Sequence, residues 1–257
     1  MSLILLHLYP RELGINGDVG NVTVLQRRGA AYGLDVQVVS AGIGDALPDR
    51  ADLVHVGSGP LSAIEAVLPD AYRHAERLRS WRSAGVPFLA VSGGWQLLGG
   101  SLRTEDGRAL EGLGVFPTRA VRGANHAVGE TVLATPGGTV AGYVNHNAVT
   151  TLDDGASSFG QVVQGFGNLG ADAPDAGLEG VVVGSSIGTH LHGTVLALNP
   201  VVADGMLAAA IRARTAGAGG SLQRQAGPAG DWIDRVDDYA RRAREAIIGR
   251  TGARATA

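Results

Sequence analysis

Short apolar runs alternate with longer stretches of helical spacing through the first half of the chain. Residues 3–8 read as a strand, 21–32 as a helix stopped by Gly33, and 36–39 and 53–56 as two further strands. Between residues 70 and 84, Ala71, Ala75, Leu78 and Trp81 fall on one helical face, with Arg73, Arg77 and Arg82 largely off it. Gly85 and Pro87 end that helix and deliver the chain to residues 88–91, a short apolar run. After Gly112 the pattern shifts to shorter strands and turns around Val132, 140–144 and 162–163, an antiparallel section. The apolar run 181–184 then leads to a histidine-bearing segment. Strands separated by helices predict an α/β fold with a mostly parallel sheet covered on both faces.

The C-terminal part has a different texture. Residues 216–230 are rich in glycine and alanine and read as a linker or loop. Beyond them Trp232, Val236, Ala240, Ala243 and Ile247 recur at helical spacing, with Arg241, Arg242 and Arg244 on a polar side. This predicts a helix that packs on its own domain or on a partner, with residues 249–257 frayed. The expected division is one domain over 1–215, then a linker and helix over 216–257.

Candidate chemistry begins at Ser92, which follows the apolar run 88–91 and precedes Gly93-Gly94. The glycines remove side chains where the backbone must turn sharply. A nucleophile there would face the Gly93 amide and the N-terminus of the next helix, as at a hydrolase nucleophile elbow; a plain structural turn is the alternative. His190 and His192 lie two apart in Gly188-Thr189-His190-Leu191-His192-Gly193. A histidine there suits a general base, against a core histidine or half of a metal site. No further ligands cluster at metal-binding spacing. Gly57-Ser58-Gly59-Pro60 is suited to an anion at a helix N-terminus but lacks a P-loop lysine. His7, His55 and His74 read as ordinary strand or surface histidines, and Trp95 as a pocket wall or core filler.

The ordered stretches Leu6-His7-Leu8-Tyr9-Pro10, Gly17-Asp18-Val19-Gly20-Asn21, Gly57-Ser58-Gly59, Ser92-Gly93-Gly94-Trp95-Gln96-Leu97-Leu98-Gly99, Leu110-Glu111-Gly112-Leu113-Gly114, Asn145-His146, Gly165-Phe166-Gly167-Asn168 and the His190 to His192 segment span roughly residues 3 to 200. In these the chain resembles class I glutamine amidotransferases of the cobyric acid synthase-like type, and among them the GatD family of glutaminase subunits. The resemblance implies a flavodoxin-like fold and hydrolysis of glutamine to glutamate and ammonia. It also implies a Mur-ligase-like synthetase partner that uses the ammonia on a cell-wall precursor, lipid II, and no cofactor or metal. It places Ser92 where the family has its nucleophilic cysteine and His192 where it has its base. Gly57, Gly59 and Gly93 take the oxyanion positions, Gln96 lies near the substrate, and Asp18 orients His192 or the substrate unless it serves as a helix N-cap.

Two departures accompany the match. A hydroxyl must lose its proton as it attacks, whereas a thiol is activated near neutral pH by a histidine. Where the family has an arginine suited to the glutamine carboxylate, the best-matching place carries His126; Arg119 and Arg122 are close enough in sequence to serve instead. Three readings of Ser92 stay open: a cysteine exchanged for serine to trap substrate, a natural serine-dependent amidase, esterase or acyl transferase on another small molecule, and an inactive binding subunit.

Composition narrows the surroundings. The chain has 257 residues, 45% of them hydrophobic, enough to bury one large core. A net charge of −3 with dispersed arginines leaves no footprint for nucleic acid. There is no membrane-length apolar run and no cationic leader pattern, so a cytoplasmic location is expected. With no cysteine, a disulfide framework or iron–sulfur cluster is excluded.

Overall fold

The computed structural model describes residues 1–193, 195–217 and 222–252. The elements run β1 (Ser2–Leu8), α1 (Gly20–Ala31), β2 (Asp35–Ala41), β3 (Leu53–Val56), α2 (Leu61–Tyr72), α3 (Ala75–Ser83), β4 (Phe88–Val91), α4 (Gly93–Leu98), β5 (Ser101–Arg103) and β6 (Ala109–Glu111). They continue as β7 (Thr118–Thr135), β8 (Gly138–Leu152), β9 (Gly160–Gln164), β10 (Leu178–Glu179), β11 (Val181–Val183), β12 (Ser186–Thr189), β13 (Leu191–His192), α5 (Val195–Leu198), α6 (Pro200–Arg214) and α7 (Pro228–Thr251).

The first sheet has the order β11-β12-β4-β3-β1-β2 and is parallel except for β11 at its edge. Its central strands are buried on both faces, which is why they read as unbroken apolar runs rather than alternating ones. On β4, Phe88 and Ala90 join one core with Leu6, Leu8, Ile64 and Leu78, while Leu89 and Val91 join another with Leu5, Leu25 and Leu207. The second sheet, built around the long β7–β8 hairpin, is mostly antiparallel. β13 leaves the first sheet region and pairs with β8, so one short segment carries His192 across from one sheet to the other.

Three sequence expectations change. The helix expected over 70–84 is two helices broken at Arg73 and His74, and the first begins at Leu61. Pro69 lies inside α2; it lacks an N–H and so masks a helix that its neighbours otherwise build. The apolar face is nevertheless as read, with Ala71, Ala75 and Leu78 buried. Residues 228–230 belong to α7 rather than to the linker, with Pro228 in the first turn, where the missing N–H costs nothing. The fraying expected over 249–257 does not begin at 249, because α7 continues to Thr251 and ends at Gly252 in the left-handed conformation; residues 253–257 lie outside those described.

α7 lies against α1, α5 and the β7–β8 hairpin, burying Ile233, Ala240 and Ile247. Arg28 of α1 fixes it there. Its guanidinium is almost wholly buried and donates to Asp204 of α6 at 2.7 and 2.6 Å and to Asp237 of α7 at 2.6 Å. Burying a guanidinium is costly unless it is paired, and these two carboxylates engage all three of its nitrogens.

Candidate active site

Ser92 joins β4 to α4 with φ 44° and ψ −102°, a conformation that residues with a Cβ rarely adopt. Such strain costs on the order of 1–3 kcal/mol and persists only when the surroundings over-determine it. Here they do. The Ser92 amide donates to the Thr189 carbonyl of β12 at 2.8 Å, and the Ser92 carbonyl accepts from the Gln96 amide at 2.8 Å. The two following glycines are required by close approach to the turn after β3. A Cβ on Gly93 would lie 2.6 Å from the Gly59 carbonyl oxygen, and one on Gly94 would lie 2.3 Å from that of Gly57.

The same turn is packed from its other side. A Cβ on Gly57 would meet the Leu13 carbonyl oxygen at 2.3 Å, and one on Gly59 the Glu12 carbonyl oxygen at 2.6 Å. Between them the Ser58 amide donates to Asp18 Oδ2 at 2.9 Å, and Ser58 Oγ accepts from the Gly93 amide at 3.2 Å. That last bond is at the long limit for N–H···O and is readily exchanged for a stronger acceptor.

Asp18 is fully buried and does not cap α1, which has no side-chain cap. Its Oδ1 accepts from the Gly193 amide at 2.9 Å and its Oδ2 lies 3.3 Å from His192 Nδ1. His192 Nε2 lies 3.1 Å from the Asn145 carbonyl oxygen of β8, and Asn16 Nδ2 is 3.4 Å from Nδ1. Neutral imidazole carries one N–H, so it satisfies one of these two acceptors at a time. No hydrogen bond joins His192 to Ser92 among the described residues.

His190 is held within a ring stack. Its ring stacks on His146 with centroids 3.7 Å and planes 5° apart, its Nε2 meets Thr150 Oγ1 at 3.1 Å, and Trp95 packs on it at 4.8 Å. Burial lowers the pKa of His146 to about 4 and drives that of His190 down as well, so both rings are neutral. Trp95 is 1% exposed and fills the core: a Cβ on Gly188 would sit 2.6 to 2.8 Å from its indole. Among the described residues no group of three or more His, Asp or Glu is arranged to hold a metal ion.

The basic group that reaches the elbow is Arg122. Its Nη1 donates to Gln96 Oε1 at 2.9 Å, one turn of α4 beyond Ser92, and desolvation lowers its pKa, with Glu105 opposing. His126 is exposed within the irregular stretch between Arg122 and Ala127, where the register shifts, and Arg119 pairs with Asp153 at 2.7 Å. Neighbouring groups that sequence reasoning did not single out include Asn16 and Asn147, the latter donating to Gly123 O at 2.8 Å and to Glu105.

Behind the histidine segment lies Glu179, also not singled out. It is fully buried, accepts from the His190 amide at 2.6 Å and from Thr189 Oγ1 at 3.0 Å, and burial pushes its pKa up to about 7 against those hydrogen bonds. From about pH 4.5 to about 7 the folded protein therefore holds a proton that the unfolded chain has released. Stability contributed by this group is full below that window and falls as pH rises through it, by on the order of 3 kcal/mol. Urea unfolding of Glu179→Gln is expected to lack this component, so the variant gains on the native protein between pH 5 and pH 8. An equal pH response in both proteins would refute it.

Residues 6–200 match the CobB/CobQ-like glutamine amidotransferase domain. The chain belongs to this family. Within it, the chain is 29% identical over 208 residues to the GatD subunit of the glutamine-hydrolyzing lipid II isoglutaminyl synthase from Staphylococcus aureus (strain N315), covering 80% of this chain and 83% of that relative. It is 27% identical over 215 residues to the corresponding GatD from Streptococcus pneumoniae (strain ATCC BAA-255 / R6), covering 82% and 81%. A solved glutamine amidotransferase superposes with a TM-score of 0.54 at 15% identity, over 80% of this chain and 98% of that one, which supports the class I amidotransferase fold.

Proposed function

We propose that this chain is a glutamine amidotransferase subunit that binds glutamine between Ser92 and Arg122 and supplies ammonia to a Mur-ligase-like synthetase amidating lipid II in the cytoplasm. The observation that carries the reading is Arg122, a partly desolvated cation bonded to Gln96 beside the elbow, where the α-carboxylate of glutamine would be gripped. In this scheme residue 92 attacks the side-chain amide, and His192 Nε2 takes its proton and later passes it to the leaving ammonia. Asp18 holds the Nδ1–H tautomer. The amides of Gly93 and Gly59 face the tetrahedral oxyanion, which displaces the weak Gly93 bond to Ser58 Oγ.

The test uses the protein with Ser92 in place, since slow chemistry lets binding be read directly. Calorimetric titration is expected to show glutamine binding, with Arg122→Met weakening it about 10- to 100-fold, the worth of a charge-assisted hydrogen bond, and His126→Ala leaving it within about threefold. No binding of glutamine at millimolar concentration would sink the substrate assignment. A second reading, a binding subunit without turnover, is favoured by the engagement of His192 Nε2 with Asn145 rather than Ser92. It predicts glutamine binding without any ammonia release.

A further inference from the structure

His55 reads from sequence as an ordinary strand histidine, yet it is completely buried at the centre of the first sheet and spans two parts of the candidate site. Its Nε2 lies 3.0 Å from the backbone oxygen of Asp18 and its Nδ1 lies 3.1 Å from the backbone oxygen of Leu89. Leu89 is on β4, the strand that delivers Ser92; Asp18 is the residue whose carboxylate meets His192 and the Gly193 amide. One imidazole ring thus bridges the strand behind the nucleophile position and the loop behind the base position.

We infer that His55 is a positioning residue: it sets the height of the Asp18 loop over β4, and through Asp18 the orientation of His192 towards residue 92. This deepens the reading above and rests on it. Burial lowers the pKa of His55, Asp18 opposing, and His7 packs against it at 5.4 Å with its own pKa lowered to about 4. The ring is therefore neutral and has a single proton for two carbonyls. Placing that proton on Nε2 secures the Asp18 loop and leaves the Leu89 oxygen facing a lone pair. Since Asp18 is in a loop whereas Leu89 belongs to a strand paired on both sides, the Nε2 link governs the site's geometry.

The two nitrogens are separable by substitution, because the amide of glutamine reaches the place of Nε2 and that of asparagine the place of Nδ1. His55→Gln, His55→Asn and His55→Leu are to be made in the Ser92 protein and in Ser92→Cys. In the Ser92 protein, nitrogen NMR of labelled histidine is expected to show the bonded His192 Nδ1–H retained in His55→Gln and lost to solvent exchange in the other two. In Ser92→Cys, kcat for ammonia release is expected to fall about 30- to 100-fold in His55→Asn and His55→Leu and within about threefold in His55→Gln, with KM nearly constant. Equal behaviour of the Gln and Asn variants, or a loss that simply follows the urea midpoint, would overturn the inference. If Ser92→Cys releases no ammonia either alone or with a Mur-ligase-like synthetase, the glutaminase reading fails, and the His192 resonance alone still decides the role of His55.

Discussion

Ser92→Cys is expected to release ammonia from glutamine at least about 100-fold faster than the Ser92 protein, and His192→Ala in that background to erase the gain. In the proposed scheme the turn presents residue 92 as a nucleophile. Residue 92 is held in its strained conformation by Thr189 and Gln96, and the backbone of the Gly57-Ser58-Gly59 turn is pressed against Gly93 and Gly94. What serine lacks is a conjugate base accessible near neutral pH. A thiol supplies one, and the exchange adds little volume at a site where, among the described residues, no side-chain hydrogen bond of Ser92 has to be broken. Ammonia release followed with glutamate dehydrogenase, alone and with a Mur-ligase-like synthetase present, decides the matter. Persistent inertness in both settings would mean that the pocket is not shaped for glutamine.

The second large effect is at Asp18, where one carboxylate serves three partners. Asp18→Ala is expected to strip acceptors from the buried Ser58 amide and from Gly193, costing roughly 2–5 kcal/mol in urea unfolding. In the Ser92→Cys background it is also expected to lower kcat by about 10²–10⁴, because His192 loses the group that fixes its tautomer. Asp18→Asn keeps the shape and removes the charge. Its amide oxygen still accepts from one backbone N–H, that of Ser58 or of Gly193, but its NH2 then faces the other donor, so part of the stability is lost and kcat falls with the loss of the carboxylate. An Asp18→Asn protein with full activity would show that Asp18 is only structural.

How far the chain could be read follows from where each constraint resides. The elbow is written locally: Pro87, the apolar run and the glycine pair occupy one stretch, and the glycines are there because the Gly57 and Gly59 carbonyls leave no room for a Cβ. His192 and Asp18 were legible as residues through the family motifs, but the choice between N-cap and orienter for Asp18 depends on where Ser58 and Gly193 arrive, and no local pattern encodes that. The choice among Arg119, Arg122 and His126 stayed open for a related reason. The register of β7 against β8 shifts between Arg122 and Ala127, so counting along the sequence does not say which side chain reaches Gln96. Glu179 and His55 carry no signal in sequence, since burial alone makes them notable. The missing start of α2 is a case of propensity overridden: Pro69 argues against a helix that the buried Ile64, Val67 and Leu68 stabilise by packing.

The contact between Gly188 and Trp95 sets a limit on side-chain size. The indole lies so close over position 188 that even a methyl group there has no space, and the strand cannot retreat because its neighbour β4 carries the elbow. Position 188 is therefore not free to grow by itself. A larger residue at 188 requires the indole to give way first, so the two sites, far apart in sequence, share a single volume.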